Sequence, residues 1–250
     1  MAAPNAGHVP IQMMERPTQV IPGCPPGLQY LAQLDQILVH QQIELLEAIG
    51  GCEMNNKYVL KNSAGQQCYF AAEETECCMR MFCKERRGFI FHISDNADQQ
   101  VMKITREFKF CGGGCCPGAC CGCFADSDAC GYEVTVESPP GNVIGTVRQA
   151  SSGWLAKYDI KNETGDVMLK IKQRDCVCCP CQDNNFDVYP TIGDNPIGAV
   201  TKVFAGMQEL FTKANNFSIS FPQDLDVKMK ALLLGACFLI DMMFFEMDKK

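Results

Sequence analysis

Thiols are the most distinctive chemical groups in this chain, with 18 cysteines among 250 residues. They gather in clusters: Cys77 and Cys78 with Cys83, then a run from Cys111 to Cys130, then Cys176, Cys178, Cys179 and Cys181. Adjacent cysteines cannot all pair regularly. The N-terminus also lacks a charged region followed by an apolar run, which predicts a reducing compartment. A disulfide scaffold is therefore disfavoured, leaving metal binding, acylation and plain buried thiols. Zinc has spacing in its favour, because Cys116 with Cys120 and Cys178 with Cys181 are separated like ligand pairs of a tetrahedral site. Acylation has context in its favour. Glycine and proline around Cys115, Cys116, Cys120, Cys121 and Cys123 predict an exposed loop, and exposed thiols near a membrane are what acyltransferases modify. For Cys176 to Cys181, structural or metal-binding thiols are the favoured reading.

Other reactive groups are sparse in pattern. The chain contains no G-x-x-x-x-G-K-[ST] phosphate loop and no G-x-S-x-G elbow, so it carries no ATPase or hydrolase signature. His8, His40 and His92 lie in unrelated contexts, and His40 and His92 read as ordinary strand residues. A formal charge of −7 gives no bulk attraction to phosphates or anionic lipid heads. Nucleic acid is not an expected partner. Any membrane contact must come from apolar or acyl insertion or from a bridging cation.

The elements that would position these groups are mostly hairpins. Alternating apolar runs flank polar turns five times: Tyr58–Leu60 to Cys68–Phe70, Phe91–Ile93 to Val101–Ile104, Tyr132–Val134 to Val143–Val147, Tyr158–Ile160 to Val167–Ile171, and Val188 to Val200. Two further strands are expected at Ile37–Val39 and Met79–Phe82. The second and fourth units are alike beyond their pattern, FHISDNADQQVMKI and YDIKNETGDVMLKI, which suggests two related halves of a closed or nearly closed antiparallel sheet. Closure leaves a lumen to be filled. The one segment long and apolar enough is Met229 to Phe245, which follows the acidic loop Asp224-Leu225-Asp226 and is apolar on every face, including Met229, Ala231, Leu234, Gly235, Phe238, Ile240 and Phe245. Residues 1–27 hold six of the 13 prolines and no apolar periodicity, and predict a flexible tail whose Pro22–Pro25 match to PxxP is a weak docking motif for protein partners. The expected organisation is a 1–27 tail, a 28–226 β-barrel domain, a 227–246 C-terminal helix and a 247–250 polar tail.

From about Pro25 to Glu246 the chain resembles the phospholipid scramblases. The resemblance rests on PPGLQYLAQLDQILVHQQIELLEAIGGCEMNNKYVLKNSAGQQCYFAAEETECC, on the cysteine cluster after Phe110, and on the ending FSISFPQDLDVKMKALLLGACFLIDMMFFE. It implies a mainly β fold, a Tubby-like closed antiparallel barrel of about twelve strands around a C-terminal hydrophobic helix. It also implies a calcium-responsive protein that lets phospholipids move between leaflets without ATP, a passive translocator rather than an enzyme. The cluster holding Cys115, Cys116, Cys120, Cys121 and Cys123 corresponds to the segment that is palmitoylated in that family, although Gly118 and Ala119 split the run here. The implied location is the plasma membrane with cytosol-facing bulk, or nucleus and cytosol without acylation.

The segment 213–224 aligns with the family's EF-hand-like calcium segment, with Asn215, Asp224 and Asp226 as weak ligands. Lys213 stands where the first acid is expected, and the alternating Phe217, Ile219 and Phe221 also read as a strand. The C-terminal segment is ambiguous too, because the family is also described as single-pass. Its 17 residues make about 25 Å of helix against about 30 Å of hydrocarbon. Asp241 would cost roughly 2.5–3.5 kcal/mol at mid-bilayer. Both considerations favour the barrel lumen. A lone short helix offers a lipid headgroup no polar groove, so lipid movement would demand homo-oligomers. The rival readings are a palmitoylated adaptor that binds lipid or partners without scrambling, and a metal-buffering protein.

Overall fold

The computed structural model describes residues 12–17, 21–42, 55–75, 86–109, 125, 127, 130–153, 155–175, 183–204 and 214–246. Twelve strands close into one antiparallel barrel: β1 (Gln36–Gln42), β2 (Lys57–Lys61), β3 (Gln67–Glu74), β4 (Phe89–Asp95), β5 (Gln100–Arg106), β6 (Glu133–Glu137), β7 (Val143–Ala150), β8 (Lys157–Asn162), β9 (Val167–Gln173), β10 (Asn184–Pro190), β11 (Gly198–Lys202) and β12 (Asn216–Ser220). Each pairs with its sequence neighbours, and β12 closes on β1. All five hairpins and the strand at Ile37–Val39 are where the alternation places them. The strand expected at Met79–Phe82 lies outside the described residues.

The likeness between the second and fourth hairpins has a local cause. Asp95 and Asn162 end their strands and Asn62 directly follows β2, and each carbonyl accepts the amide of the residue three places on, where Gly65, Asp98 and Gly165 sit at positive φ. Side-chain oxygens of the same three residues accept amides across the turn, with Gln66, Gln99 and Asp166 as donors at 2.8–3.0 Å. A register shift precedes each turn, as in a type I turn followed by a bulge. The two similar hairpins lie four strands apart around a ring of twelve, not six. The expectation of two related halves therefore gives way to one turn chemistry used repeatedly.

The lumen is filled by α2 (Val227–Ile240), which continues through a π-helical turn, Asp241–Phe245. Inward residues of nearly every strand, among them Val134, Val136, Val147, Phe91 and Phe217, form one core with it. Phe238 stacks on Phe91 at 4.4 Å and meets Tyr58 edge-on at 5.1 Å. The hydrophobic positions singled out from the sequence, Met229, Ala231, Leu234, Gly235, Phe238, Ile240 and Phe245, are all buried.

Segments before β1 are tied to the barrel. Met14 N donates to the Gln67 carbonyl and Gln67 N to the Gln12 carbonyl, both at 2.8 Å, Asn96 donates to the Met14 carbonyl, and Tyr69 donates to the Gly27 carbonyl at 2.9 Å. The short helix α1 (Gln29–Ala32) covers the lumen where α2 enters. The described part of the expected tail is thus packed against the domain.

Candidate functional site

Up-and-down connectivity gives the barrel two unlike ends. The tight turns 62–66, 96–99, 138–142, 163–166 and 191–197 gather at one, the hairpin pole, together with the start of α2. The longer connections leave from the other, the far pole, where the π turn ends. At each pole a single buried charge on the central helix is held by groups around it.

At the hairpin pole that charge is Lys230, fully buried. Its ammonium donates to the carbonyls of Leu31, Leu34 and Gln223 at 3.1, 2.8 and 2.7 Å, and lies 5.0 Å from the centre of the Phe221 ring. Three donors meet three acceptors, which offsets part of the cost of burying the charge. Burial still pushes its pKa down, while Asp224, Asp35 and Asp226 push the other way. Asp226 caps α2, its Oδ1 accepting from the amides of Lys228 and Met229 at 2.9 and 3.2 Å.

At the far pole the charge is Asp241, also fully buried. Tyr58 Oη donates to one carboxylate oxygen at 2.5 Å and Asn215 Nδ2 to the other at 2.8 Å. Around them Gln41 joins Asn56, Asn56 donates to Glu73 and Glu246, and Arg87 bridges the same two acids at 3.3 and 3.4 Å. The polar ends fix the register of an otherwise featureless apolar helix within the lumen.

The buried phenols give this core a pH limit. Burial foremost, with Asp241 next for Tyr58, raises the pKa values of Tyr58, Tyr69 and Tyr158 above the ordinary phenol value. A raised folded-state pKa contributes stability that is present below the unfolded value near 10 and lost as pH rises past it. Each phenol adds about 1.4 kcal/mol per pH unit to that slope, so the three together give about 4 kcal/mol per unit. Denaturant midpoints measured from pH 8 to 11 are expected to be flat to about 10 and then to fall steeply; a flat profile to 11 would contradict the burial of these tyrosines.

The sequence-derived site residues fare unevenly. Cys115, Cys116, Cys120, Cys121 and Cys123, the zinc pairs Cys116/Cys120 and Cys178/Cys181, and Lys213 lie outside the described residues. Cys130, at the edge of the second cluster, is disulfide-bonded, against the expectation of thiols throughout. Asn215, Asp224 and Asp226 are not brought together. The five residues of β12 separate Asn215 from the two aspartates by roughly 17 Å of extended chain, whereas calcium ligands sit about 2.3–2.6 Å from the ion. The strand reading of this segment holds. β12 pairs on both sides, with Phe217 and Ile219 inside the barrel.

The reading of 229–245 as a membrane span is corrected as well. Among the described residues no helix is long and apolar enough to cross a membrane, and this one is enclosed by strands and pinned through Lys230 and Asp241. His40 bonds Asn216 and His92 bonds Glu74 and Gln100 on strand surfaces, as expected of ordinary strand residues. Among the described residues no cluster of His, Cys, Asp and Glu could hold a metal. The buried polar ends of the helix were missed by sequence reasoning, although Lys230 and Asp241 inside an apolar run were the available signal.

A family profile described as Scramblase matches residues 14–247. The chain is 47% identical to human "Phospholipid scramblase 1" over 89% of its own length and 67% of the relative's. It is 44% identical to bovine "Phospholipid scramblase 2" over 98% and 81%, and 40% identical to human "Phospholipid scramblase family member 5" over 98% and 88%. No solved structure matches it. A match that takes in every strand and the lumen helix, with relatives alike over nearly the whole chain, means that the protein belongs to the scramblase family.

Proposed function

We propose that this protein moves phospholipids passively between the leaflets of a membrane, without ATP and without chemistry on the lipid. Its membership of the scramblase family carries the reading. Attachment is assigned to palmitate on Cys115, Cys116, Cys120, Cys121 and Cys123, because a chain at −7 with its most apolar helix enclosed has acyl groups as its strongest anchor. Each buried CH₂ contributes about 0.8 kcal/mol, so two chains hold a domain of this size stably. The assigned place is the cytosolic face of the plasma membrane. Replacing the five cysteines by serine is expected to move most of the protein to the soluble fraction; undiminished membrane recovery on fractionation would refute the anchoring role.

The closed wall constrains how lipid could move. The helix fills the lumen and closure leaves no sheet edge, so a headgroup must travel outside the barrel, along a bilayer disturbed by the protein or between copies of it. Calcium responsiveness is part of the proposal, with Asp224 and Asp226, both exposed at the hairpin pole, as the carboxylates left to it once Asn215 is committed to Asp241. The filled lumen also favours a second reading, a membrane-attached adaptor that does not move lipid. Purified protein in liposomes carrying a leaflet-specific fluorescent lipid separates the two. Loss of leaflet asymmetry, faster with calcium, is expected; unchanged asymmetry at high protein density would leave the adaptor.

A further inference from the structure

A closed barrel has no edge strand, so lysines on its outer wall cannot be guards against edge-to-edge pairing. The outward positions of β8 and β9 are nevertheless mostly lysine: Lys157 and Lys161 on one strand, Lys170 and Lys172 on the other, with Asp159 the lone carboxylate among them. Register sets Lys157 directly opposite Lys172 and Lys170 opposite Asp159. Like charges facing each other across a strand pair are destabilising. Lys157 facing Lys172 therefore has no folding rationale, and four lysines against one aspartate on this face stand out on a chain whose net charge is −7.

The neighbouring acids do not neutralise it. Asp187 faces Lys172 in register, but its carboxylate is gripped by the Arg174 guanidinium at 2.9 and 2.5 Å, and Lys172 Nζ lies instead 4.5 Å from the centre of the Tyr189 ring. Glu133 pairs with Arg148 at 3.4 Å. At the hairpin tip Glu163 pairs with Lys228 at 2.9 Å, and Asp166 bonds Thr164 and Asn162. Among the described residues none of the four lysines forms an ion pair. Beside them Met168, 41% exposed, offers an apolar contact.

We propose that the outer face of the β8–β9 hairpin is the surface with which the barrel lies against an anionic phospholipid bilayer. The assignment rests on the membrane reading above and adds the face and the lipid charge. Charge complementarity selects the occupant: uncompensated ammonium groups on two adjacent strands meet phosphate and carboxylate headgroups spread in a plane. The tip offers no such excess of cations, since Glu163 is paired with Lys228 and Asp166 adds a negative charge, so the hairpin lies flat rather than pole-on.

The test uses the full chain produced without acylation, floated with phosphatidylcholine vesicles with and without phosphatidylserine. Binding is expected only to the serine-containing vesicles, weakening as salt rises. A lysine close to an anionic leaflet strengthens binding about fivefold, so Lys170→Gln with Lys172→Gln should weaken it about 25-fold. A control pair, Lys57→Gln with Lys61→Gln, on β2 at the opposite side of the ring, should change it less than about twofold, being more than a Debye length away. Equal losses in the two pairs, or equal binding to neutral and anionic vesicles, would overturn this face while leaving membrane contact standing. No binding to either vesicle would also overturn it, and the liposome assay on acylated protein then decides the membrane reading separately. Lysine-dependent binding of polyglutamate without vesicle binding would assign the face to a soluble acidic partner instead.

Discussion

A chain ending at Asp226 is expected not to fold. It keeps all twelve strands but loses the segment that fills the space between them. The fully or nearly fully buried large apolar residues removed are Leu232, Leu233, Leu234, Phe238, Leu239, Ile240, Met242, Met243, Phe244 and Phe245. At roughly 1.5–3 kcal/mol each their burial amounts to about 15–30 kcal/mol, an upper figure because unfolded chains already bury part of this surface. Even half of it is comparable with the roughly 5–15 kcal/mol net stability of an ordinary domain. The wall cannot collapse to compensate, because ladder hydrogen bonds hold every strand at fixed spacing around the ring. The truncated chain should lack a cooperative thermal transition and accumulate in the insoluble fraction. A monomeric product with native-like near-ultraviolet dichroism would mean that the helix is dispensable to the barrel, and the structure as described would be wrong on its main point.

What the sequence made legible follows from how local each determinant is. The hairpins could be read because alternation and turn chemistry sit within a dozen residues, as in Tyr58–Leu60, the Asn62–Gly65 turn and Cys68–Phe70. The barrel's closure could be inferred because Met229–Phe245, apolar all round, needs a complete wall. Closure itself depends on β12, whose Phe217 and Ile219 alternate like a strand but lie in the segment that also aligned with a calcium loop. Pairing with β1, nearly 180 residues earlier in the chain, decides between the two, and no local pattern carries that information. The same holds for Asn215. As a residue type it is an acceptable calcium ligand, and only the fold shows its side chain committed to Asp241 on the helix. Lys230 and Asp241 looked like blemishes in a greasy run. Their partners, the carbonyls of Leu31, Leu34 and Gln223 and the side chains of Tyr58 and Asn215, come from α1, from segments flanking β1 and β12 and from β2, all but Gln223 distant in sequence.

Gly235→Leu is expected to lower stability by about 3 kcal/mol and the thermal midpoint by about 6–12 °C. Gly235 faces the wall where β6 and β7 approach the helix most closely. A Cβ there would come within 2.7 Å of Val136 Cγ2, with Val134 and Val147 methyls at 3.8 and 4.0 Å. The smaller change Gly235→Ala sets this crowding against the roughly 1 kcal/mol that alanine gains over glycine in a helix, and should come out near neutral. Leucine adds three more carbons that must enter the space already held by those valines. Trimming the wall should therefore relieve it: Val136→Ala combined with Gly235→Leu is expected to cost less than the sum of the two single changes by more than about 0.5 kcal/mol. That coupling is the informative quantity, because a leucine exposed to lipid chains would be tolerated and would not sense a side chain on β6. Denaturant titrations of the two single variants and the pair, in detergent-free buffer, read it directly. Additive costs would place Gly235 away from Val136 and remove the helix from the lumen.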